Sequence, residues 1–273
     1  MKELITRALS GLLFAIILIG ALQFKYACIA LFFMFGLICL SEFNKLINQK
    51  NTASYIIFMV LFLAVAFWEE LFKSSESLSD ISQILLVISV LVNLLLIRDL
   101  FSSKSLPTLL SNHFINTTFY VSSGFVFLVL IALNFKNYNP EILMYIFILI
   151  WINDSFAYIV GKNFGKQKLF ESISPKKTVE GFLGGVFFAA LGSYFIANNT
   201  DSLLFSNWLV ISVIVSIFGT LGDLVESKYK RQAGVKDSGK IMPGHGGLLD
   251  RLDSVIFAAP FIYLFLRLLN YVS

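Results

Sequence analysis

Long apolar stretches separated by short polar connections make up most of this 273-residue chain. A helix needs about 20 apolar residues to cross a bilayer, within a range of about 17–25. By that measure the pattern predicts nine membrane spans, of which the second and third are short. They cover residues 8–24, 26–40, 55–68, 81–97, 119–135, 142–160, 181–197, 208–222 and 255–269. The predicted fold is therefore all-α, a polytopic bundle of membrane helices.

Composition supports a lipid-facing exterior. Hydrophobic residues make up 57% of the chain and charged residues 14%, whereas soluble domains average about 45–50% and about 25%. The first apolar run could be a signal peptide, but no small-x-small cleavage site follows it, so we expect a retained span. Two cysteines and two histidines predict neither a disulfide framework nor a zinc enzyme. Basic and aromatic residues do not interleave, which argues against nucleic acid as a partner.

The cations are distributed unevenly among the predicted connections. With the N-terminus in the cytoplasm, seventeen of the 21 Lys and Arg residues fall on the cytoplasmic side. Cytoplasmic loops attract Lys and Arg, so the pattern predicts an N-in, C-out topology. The chain then divides into five N-terminal spans over residues 1–140 and a catalytic membrane region over residues 141–273. The second region carries cytoplasmic loops at 161–180 and 223–253.

A first polar cluster lies near the end of the sixth predicted span. It contains Asn153, Asp154 and Tyr158, and the last two share one helix face because they are four residues apart. An ionisable group within a span is costly, which favours a functional role. The alternative is a hydrogen bond that only joins neighbouring helices.

A second cluster runs from Ser174 to Gly181. Ser174 followed by Pro175 is typical of an N-cap and the first helical position, which predicts that the seventh helix begins there. Lys176, Lys177 and Thr178 would then occupy its first turn, where free amides and the helix dipole favour a bound anion. The alternative is simple positive-inside anchoring.

The third cluster is the richest in polar residues. Asp223, Glu226 and Ser227 are spaced to share a helix face, as are Asp250 and Asp253. Carboxylates of this kind suit Mg²⁺, the neighbouring cations suit phosphate oxygens, and residues 243–247 predict a tight turn with amides open to an anion. The combination favours phosphoryl or nucleotidyl transfer. The alternative is a solvated amphipathic loop.

The spacing of these residues resembles the signature of the phosphatidate cytidylyltransferase (CDP-diacylglycerol synthase) family. The match consists of Ser227-Lys-Tyr-Lys-Arg231, Lys236-Asp-Ser-Gly239, Pro243-Gly-His-Gly-Gly247 and Asp250-Arg-Leu-Asp253. Upstream, Asn153-Asp154 and Ser174-Pro-Lys-Lys-Thr-Val-Glu-Gly181 also resemble the family. Tyr229 and Met242 depart from its usual residues, but both changes are conservative.

The resemblance implies a reaction in which CTP and phosphatidic acid give CDP-diacylglycerol and pyrophosphate. It also implies a helical membrane fold, a homodimer, and a Mg²⁺-dependent site with assistance from K⁺. The enzyme would lie in the cell (inner) membrane with its active site facing the cytoplasm.

These observations give a hypothesis for the role of each residue. The catalytic candidates are Asp223, Asp237, Asp250, Lys230, Arg231 and His245. The substrate-binding candidates are Asn153, Asp154, Ser174, Lys176, Lys177, Thr178, Ser227, Lys236, Gly246, Gly247 and Arg251. The metal-ligand candidates are Asp223 and Asp250 first, then Asp253 and Glu226.

Two other functions stay open. A CTP-dependent lipid or polyprenol kinase would transfer the γ-phosphate to an alcohol and release CDP. An anion or nucleotide transporter would line a path across the membrane with its charges, whereas here the charges gather at one predicted face.

Overall fold

The computed structural model describes residues 2–50, 52–72, 76–102, 106, 113–133 and 138–269, and helices dominate this part of the chain. The helices are α1 (Lys2–Leu22), α2 (Lys25–Leu46), α3 (Ala53–Ala66), α4 (Trp68–Phe72), α5 (Glu76–Leu100), α6 (His113–Asn116), a π-helix (Thr117–Ser122), α7 (Ser123–Leu133), α8 (Glu141–Phe164), α9 (Val179–Asn199), α10 (Phe205–Gln232) and α11 (Leu249–Leu268). The strands are β1 (Lys168–Phe170) and β2 (Ser174–Thr178).

Each predicted span falls on a helical region, although residues 134 and 135 of the fifth lie outside the described residues. Six helical stretches in the described part are long and apolar enough to cross a membrane. They are Lys25–Leu46, Leu78–Leu100, His113–Leu133, Glu141–Phe164, Val179–Asn199 and Phe205–Gln232. The apolar stretches Ala8–Leu22 and Ala53–Ala66 are shorter. The prediction of a helical, multi-pass membrane protein is confirmed at this level.

The predicted start of the seventh helix at Ser174 is wrong. Ser174 and Pro175 belong to β2, which pairs antiparallel with β1 through Lys168–Thr178 and Phe170–Ser174. The helix α9 begins only at Val179, and the Thr178 side chain accepts a hydrogen bond from the Gly181 amide (3.1 Å) as its N-cap. Proline tolerates an edge strand as well as a first helical turn, so the pairing with β1 decided between them. Lys176 and Lys177 therefore occupy a strand and not the first turn of a helix.

Glycines bring α8 and α9 into close contact. A β-carbon at Gly181 would lie 2.7 Å from the Ala157 carbonyl oxygen, and one at Gly185 would lie 2.9 Å from the Asn153 carbonyl oxygen. Real side chains do not tolerate such approaches, so only glycine allows this packing. The β1–β2 hairpin connects these two helices and is thereby held beside the N-terminus of α9.

The predicted polar loop 223–253 is much shorter than expected. Helix α10 continues through Gln232 and α11 already begins at Leu249, which leaves residues 233–248 as the connection. The metal-ligand candidates therefore project from two packed helices, which fixes them more firmly than a loop would. Within α10, Lys228 points away from them and donates to the Asp99 and Ser102 carbonyl oxygens (2.8 and 2.7 Å), so it anchors α10 to the end of α5.

Candidate active site

A cavity of about 1180 Å³ lies where α8, the hairpin, α10 and the start of α11 meet. Small-molecule sites typically measure roughly 300–1,000 Å³, so the cavity has room for a large ligand or for two reactants. Its wall is partly apolar, through Gly11, Phe14 and Ala15 of α1 and Ile150 and Trp151 of α8. The remaining wall is polar and holds most of the predicted site residues.

Three carboxylates meet at the inner end of this cavity. One oxygen each from Asp223, Glu226 and Asp253 lies within 4.8 Å of the other two. The α10 residues come from the predicted shared face, and Asp253 comes from the first turns of α11. Glu226 is fully buried, and its Oε1 has no hydrogen-bond partner among the described residues. Ser227 Oγ donates to Asp223 Oδ1 (3.1 Å), which orients that carboxylate.

Lys230 bridges the carboxylates of the two helices. Its ammonium group forms an ion pair with Glu226, one turn earlier in α10, and another with Asp250 Oδ1 at 2.6 Å. All three side chains are at most 9% exposed. Charges buried to this extent are tolerated only when they are paired. Lys230 thus compensates negative charge on both helices, that of Glu226 in α10 and that of Asp250 in α11.

Lys177 supplies the second cation, from β2. It forms an ion pair with Asp223. Burial by itself would lower the pKa of Lys177, but the carboxylates around it, Asp223 first and then Asp154 and Asp253, together outweigh burial and raise this pKa above its usual value. A raised lysine pKa means that the ion pair is complete throughout the neutral range. It is lost only at alkaline pH, as the pH rises through the folded-state value.

Asp250 lies outside the group of three carboxylates and organises the loop before α11. Its Oδ2 accepts hydrogen bonds from the Ser238 amide (2.9 Å), the Ser238 hydroxyl (3.0 Å) and the Gly247 amide (2.7 Å). Its Oδ1 accepts from Lys230. Asp250 would have to exchange one of these partners in order to bind a metal ion.

The tight turn predicted at residues 243–247 is present, but two of its amides already have partners within the protein and are not open to a bound anion. Gly244 and Gly246 adopt positive φ angles of 74° and 86°, which glycine accommodates without strain. The His245 amide donates to the Met242 carbonyl oxygen (2.9 Å), and the Gly247 amide donates to Asp250. The expectation that the turn presents open amides is therefore wrong at these two positions.

Helix α1 and Arg251 support the turn from outside. Ser10 Oγ donates to the Pro243 carbonyl oxygen (3.0 Å) and lies 2.7 Å from His245 Nδ1. The Arg251 guanidinium donates to the His245 carbonyl oxygen from Nη2 (2.9 Å) and Nε (3.2 Å). The turn is thus held from both sides, and His245 lines the cavity.

Comparison with known proteins identifies the family of the chain. The sequence model of the cytidylyltransferase family matches residues 4–269. The chain belongs to the cytidylyltransferase family. It is 48% identical over 138 residues to the phosphatidate cytidylyltransferase of Bacillus subtilis (strain 168), covering 50% of this chain and 51% of that protein. It is 44% identical over 153 residues to the phosphatidate cytidylyltransferase of Staphylococcus aureus (strain COL), covering 54% and 55%. The chain spans about half the length of these curated relatives.

Most of the predicted site residues of this cytidylyltransferase-family chain line the one cavity. Those that line it are Asn153, Asp154, Lys176, Lys177, Thr178, Asp223, Ser227, Lys230, Arg231, Lys236, Asp237, His245, Asp250, Arg251 and Asp253. Four others are not in its wall: Ser174, Glu226, Gly246 and Gly247. Of these, Glu226 lies directly behind the wall, next to the carboxylates of Asp223 and Asp253.

Several of the lining residues also have structural partners. Asn153 is buried against α9, and its Nδ2 donates to Asp154 Oδ1 (3.2 Å). Arg231 donates to the Val235 carbonyl oxygen (3.0 Å) and so braces the beginning of the connection. Lys236 and Asp237 are exposed on that connection. Their charges face the cavity from the side open to water.

Sequence reasoning missed Glu42 of α2. Glu42 is 2% exposed, accepts hydrogen bonds from the Leu248 and Leu249 amides, and shares the Ser238 hydroxyl with Asp250. A single acidic residue directly after a predicted span was the available signal, because such a charge needs partners. The pattern could not reveal that those partners lie some two hundred positions later.

The pairing of Lys230 gives a stability prediction. Replacing Lys230 with Met would leave Glu226 and Asp250 buried without their shared cation, a situation that typically costs about 3–5 kcal/mol. We expect a large fall in the unfolding free energy of Lys230→Met, measured by denaturant titration in a mild detergent. Lys236→Met is the matched control, because Lys236 is exposed. Equal, small changes in both variants would contradict the bridging role of Lys230.

Proposed function

We propose that this protein transfers CMP from CTP to phosphatidic acid, giving CDP-diacylglycerol and pyrophosphate for phospholipid synthesis. The observation that carries the proposal is the cluster of three carboxylates, with the lysines that pair with them, at the inner end of a cavity whose wall is partly apolar. Such a site suits the phosphates of a nucleotide together with a lipid. The names of the relatives, phosphatidate cytidylyltransferase, support the choice of substrates.

The donor set fits a divalent cation. Asp223, Glu226 and Asp253 offer hard oxygen atoms within 4.8 Å of one another, and Mg²⁺ prefers oxygen ligands. The unpartnered Oε1 of Glu226 is the kind of buried acceptor that a cation would satisfy. Asp223 and Asp253 would hold Mg²⁺ with Glu226, and Asp250 would join if it released a loop donor. When bound, Mg²⁺ supplies positive charge that neutralises the phosphates during transfer.

The side chains of this chain have distinct tasks in the proposed reaction. Lys177 and Lys230 would hold phosphate oxygens, with Lys176, Arg231 and Lys236 at the cavity mouth. A phosphatidate oxygen attacks the α-phosphorus of CTP, a new phosphorus–oxygen bond forms, and the bond to the β-phosphate oxygen breaks to release pyrophosphate. The attacking phosphate is already anionic at neutral pH, so no side chain has to remove a proton. Charge placement therefore carries most of the catalysis.

The proposal extends to the surroundings of the site. It comprises nine membrane spans with an N-in, C-out topology, in the cell (inner) membrane with the active site towards the cytoplasm. The positive-inside distribution of Lys and Arg supports this orientation. A homodimer and assistance from K⁺ are part of the proposal through the family resemblance.

The fate of labelled CTP tests the reaction. With purified protein, phosphatidate and Mg²⁺, a label on the α-phosphate should move into the lipid fraction, and a label on the γ-phosphate should appear in pyrophosphate. Label from the γ-phosphate in a lipid, with release of CDP, would identify a kinase instead. Movement of intact nucleotide into liposomes without a new lipid would identify a transporter.

Removing a metal-ligand candidate tests the site. We expect Asp223→Asn to lower kcat by about 100-fold or more, because about 2.7 kcal/mol or more of transition-state stabilisation would be lost. Initial rates of CDP-diacylglycerol formation over a range of Mg²⁺ concentrations measure this effect. The matched control is Asp201→Asn. Asp201 is exposed and lies shortly before the first residue of α10, at the end of the helix far from Asp223. Activity of Asp223→Asn close to that of the control would remove Asp223 from the site.

Cysteine labelling on either side of α9 tests the orientation. Ser172 lies in the hairpin turn and Asp201 lies between α9 and α10, and both are exposed. A maleimide that cannot cross membranes should label Asp201→Cys in intact spheroplasts, but Ser172→Cys only after lysis. The native cysteines Cys28 and Cys39 are buried and give little background. The reverse pattern would overturn the proposed topology.

A further inference from the structure

Glu42 of α2 lies against the connection between α10 and α11 (residues 233–248), although Glu42 belongs to the N-terminal half of the chain. Its Oε2 accepts a hydrogen bond from the Leu249 amide (2.8 Å) and lies 3.3 Å from the Ser238 hydroxyl, whose one proton it shares with Asp250, and its Oε1 accepts from the Leu248 amide (3.2 Å). The carboxylate is 2% exposed. It therefore holds both ends of the segment between Ser238 and the first residue of α11.

The position of Glu42 suits the electrostatics of a helix start. The first amides of a helix have no partners within the helix, and its N-terminus carries partial positive charge. The Leu248 side chain offers no capping oxygen, and it is the N-cap of α11. Glu42 takes over that task from a neighbouring helix. The direction of the start of α11, with Asp250 in the first turn and Asp253 directly after it, thus depends on α2.

A second connection runs from Glu42 to the charged residues through Ser238. The Ser238 hydroxyl lies 3.3 Å from Glu42 Oε2 and 3.0 Å from Asp250 Oδ2, and Asp250 Oδ1 accepts from Lys230 (2.6 Å). Glu42, Ser238, Asp250 and Lys230 form a continuous chain of polar contacts. A shift of Glu42 would therefore reach the cation that pairs with Glu226.

The loop is shaped around this carboxylate. Gly239 and Gly247 both approach Glu42 so closely that a β-carbon at either position would overlap it. At Gly247 the same β-carbon would also lie 2.7 Å from the Gly239 amide nitrogen. These two signature glycines therefore leave space for Glu42, in addition to any part they have in the turn.

We infer that Glu42 is a positioning residue for the proposed reaction, which sets the place of Asp250, Asp253 and Lys230 without touching a substrate. The inference rests on the proposed function for its kinetic consequence. The hydrogen-bond geometry on which it is built does not depend on the identity of the substrates.

The test is Glu42→Gln, which keeps the shape and replaces one acceptor oxygen with a donor group. Loss of a hydrogen-bond partner that orients metal-ligand residues typically costs about 10–100-fold in activity. We therefore expect kcat to fall by that factor while KM for CTP changes little. Hydrogen–deuterium exchange of the Leu248 and Leu249 amides should also become faster. The unfolding temperature in detergent shows whether the fold has stayed intact.

Asn44→Ala is the matched control. Asn44 is equally buried, lies two residues further along α2, and donates to Ser54 Oγ (2.9 Å) instead of to the loop. This variant should lose stability while it keeps its kcat and the slow exchange of Leu248 and Leu249. A similar loss of kcat in Asn44→Ala and Glu42→Gln would overturn the inference, because general destabilisation would then explain both.

Ser238→Ala tests the connection independently. If Glu42 acts partly through the Ser238 hydroxyl, the double variant Glu42→Gln/Ser238→Ala should lose less kcat than the two single losses multiplied together. If Glu42→Gln does not fold, Ser238→Ala carries the test, and wild-type kcat in that variant would overturn the inference. A wild-type protein that makes no CDP-lipid would refute the proposed function. Amide exchange would still decide whether Glu42 positions the loop.

Discussion

Two lysines make the acidic meeting point of α10 and α11 possible. Glu226 is fully buried and Asp253 is 5% exposed, and an unpaired charge at such a depth costs several kcal/mol. Lys230 joins the two helices by pairing with Glu226 and Asp250, and Lys177 brings the hairpin to Asp223. Without these cations, packing the two helices around the carboxylates would cost several kcal/mol.

The same charge balance suits the proposed chemistry. Asp223, Glu226 and Asp253 would hold a divalent cation, and Lys177 and Lys230 would then be available to phosphate oxygens. In that arrangement the buried carboxylates would still be paired with a cation, which would avoid the cost of an unpaired ion. The apolar part of the cavity wall, from α1 and α8, would accommodate the lipid beside this charged end.

The spacing of polar residues at the helical repeat of 3.6 residues was enough to predict part of the site. The spacing of Asp223, Glu226 and Ser227 placed them on one face of α10, and the structure confirms that arrangement. The period could not distinguish Lys228 from Lys230, because both are cations two residues apart and only tertiary contacts show which one faces the carboxylates. Lys228 caps α5, whereas Lys230 enters the site.

Other features depended on contacts between distant parts of the chain. Ser174 and Pro175 have the local pattern of a helix start, but pairing with β1 makes them a strand. Glu42 is an isolated acid when only its neighbours are considered, and its role follows from Ser238 and Leu249, which lie far along the chain. The tight turn at residues 243–247 was predictable from its glycines. The engagement of its amides by Met242 and Asp250 was not.

The most direct test of the central claim is a crystal structure with CTP and Mn²⁺ as a stand-in for Mg²⁺. The account predicts an anomalous peak within coordination distance of Asp223 and of at least one of Glu226, Asp253 and Asp250. Lys177 should have left Asp223 for a phosphate oxygen. A Mn²⁺ peak away from the α10–α11 carboxylates, with the Lys177–Asp223 pair intact beside bound CTP, would contradict the account.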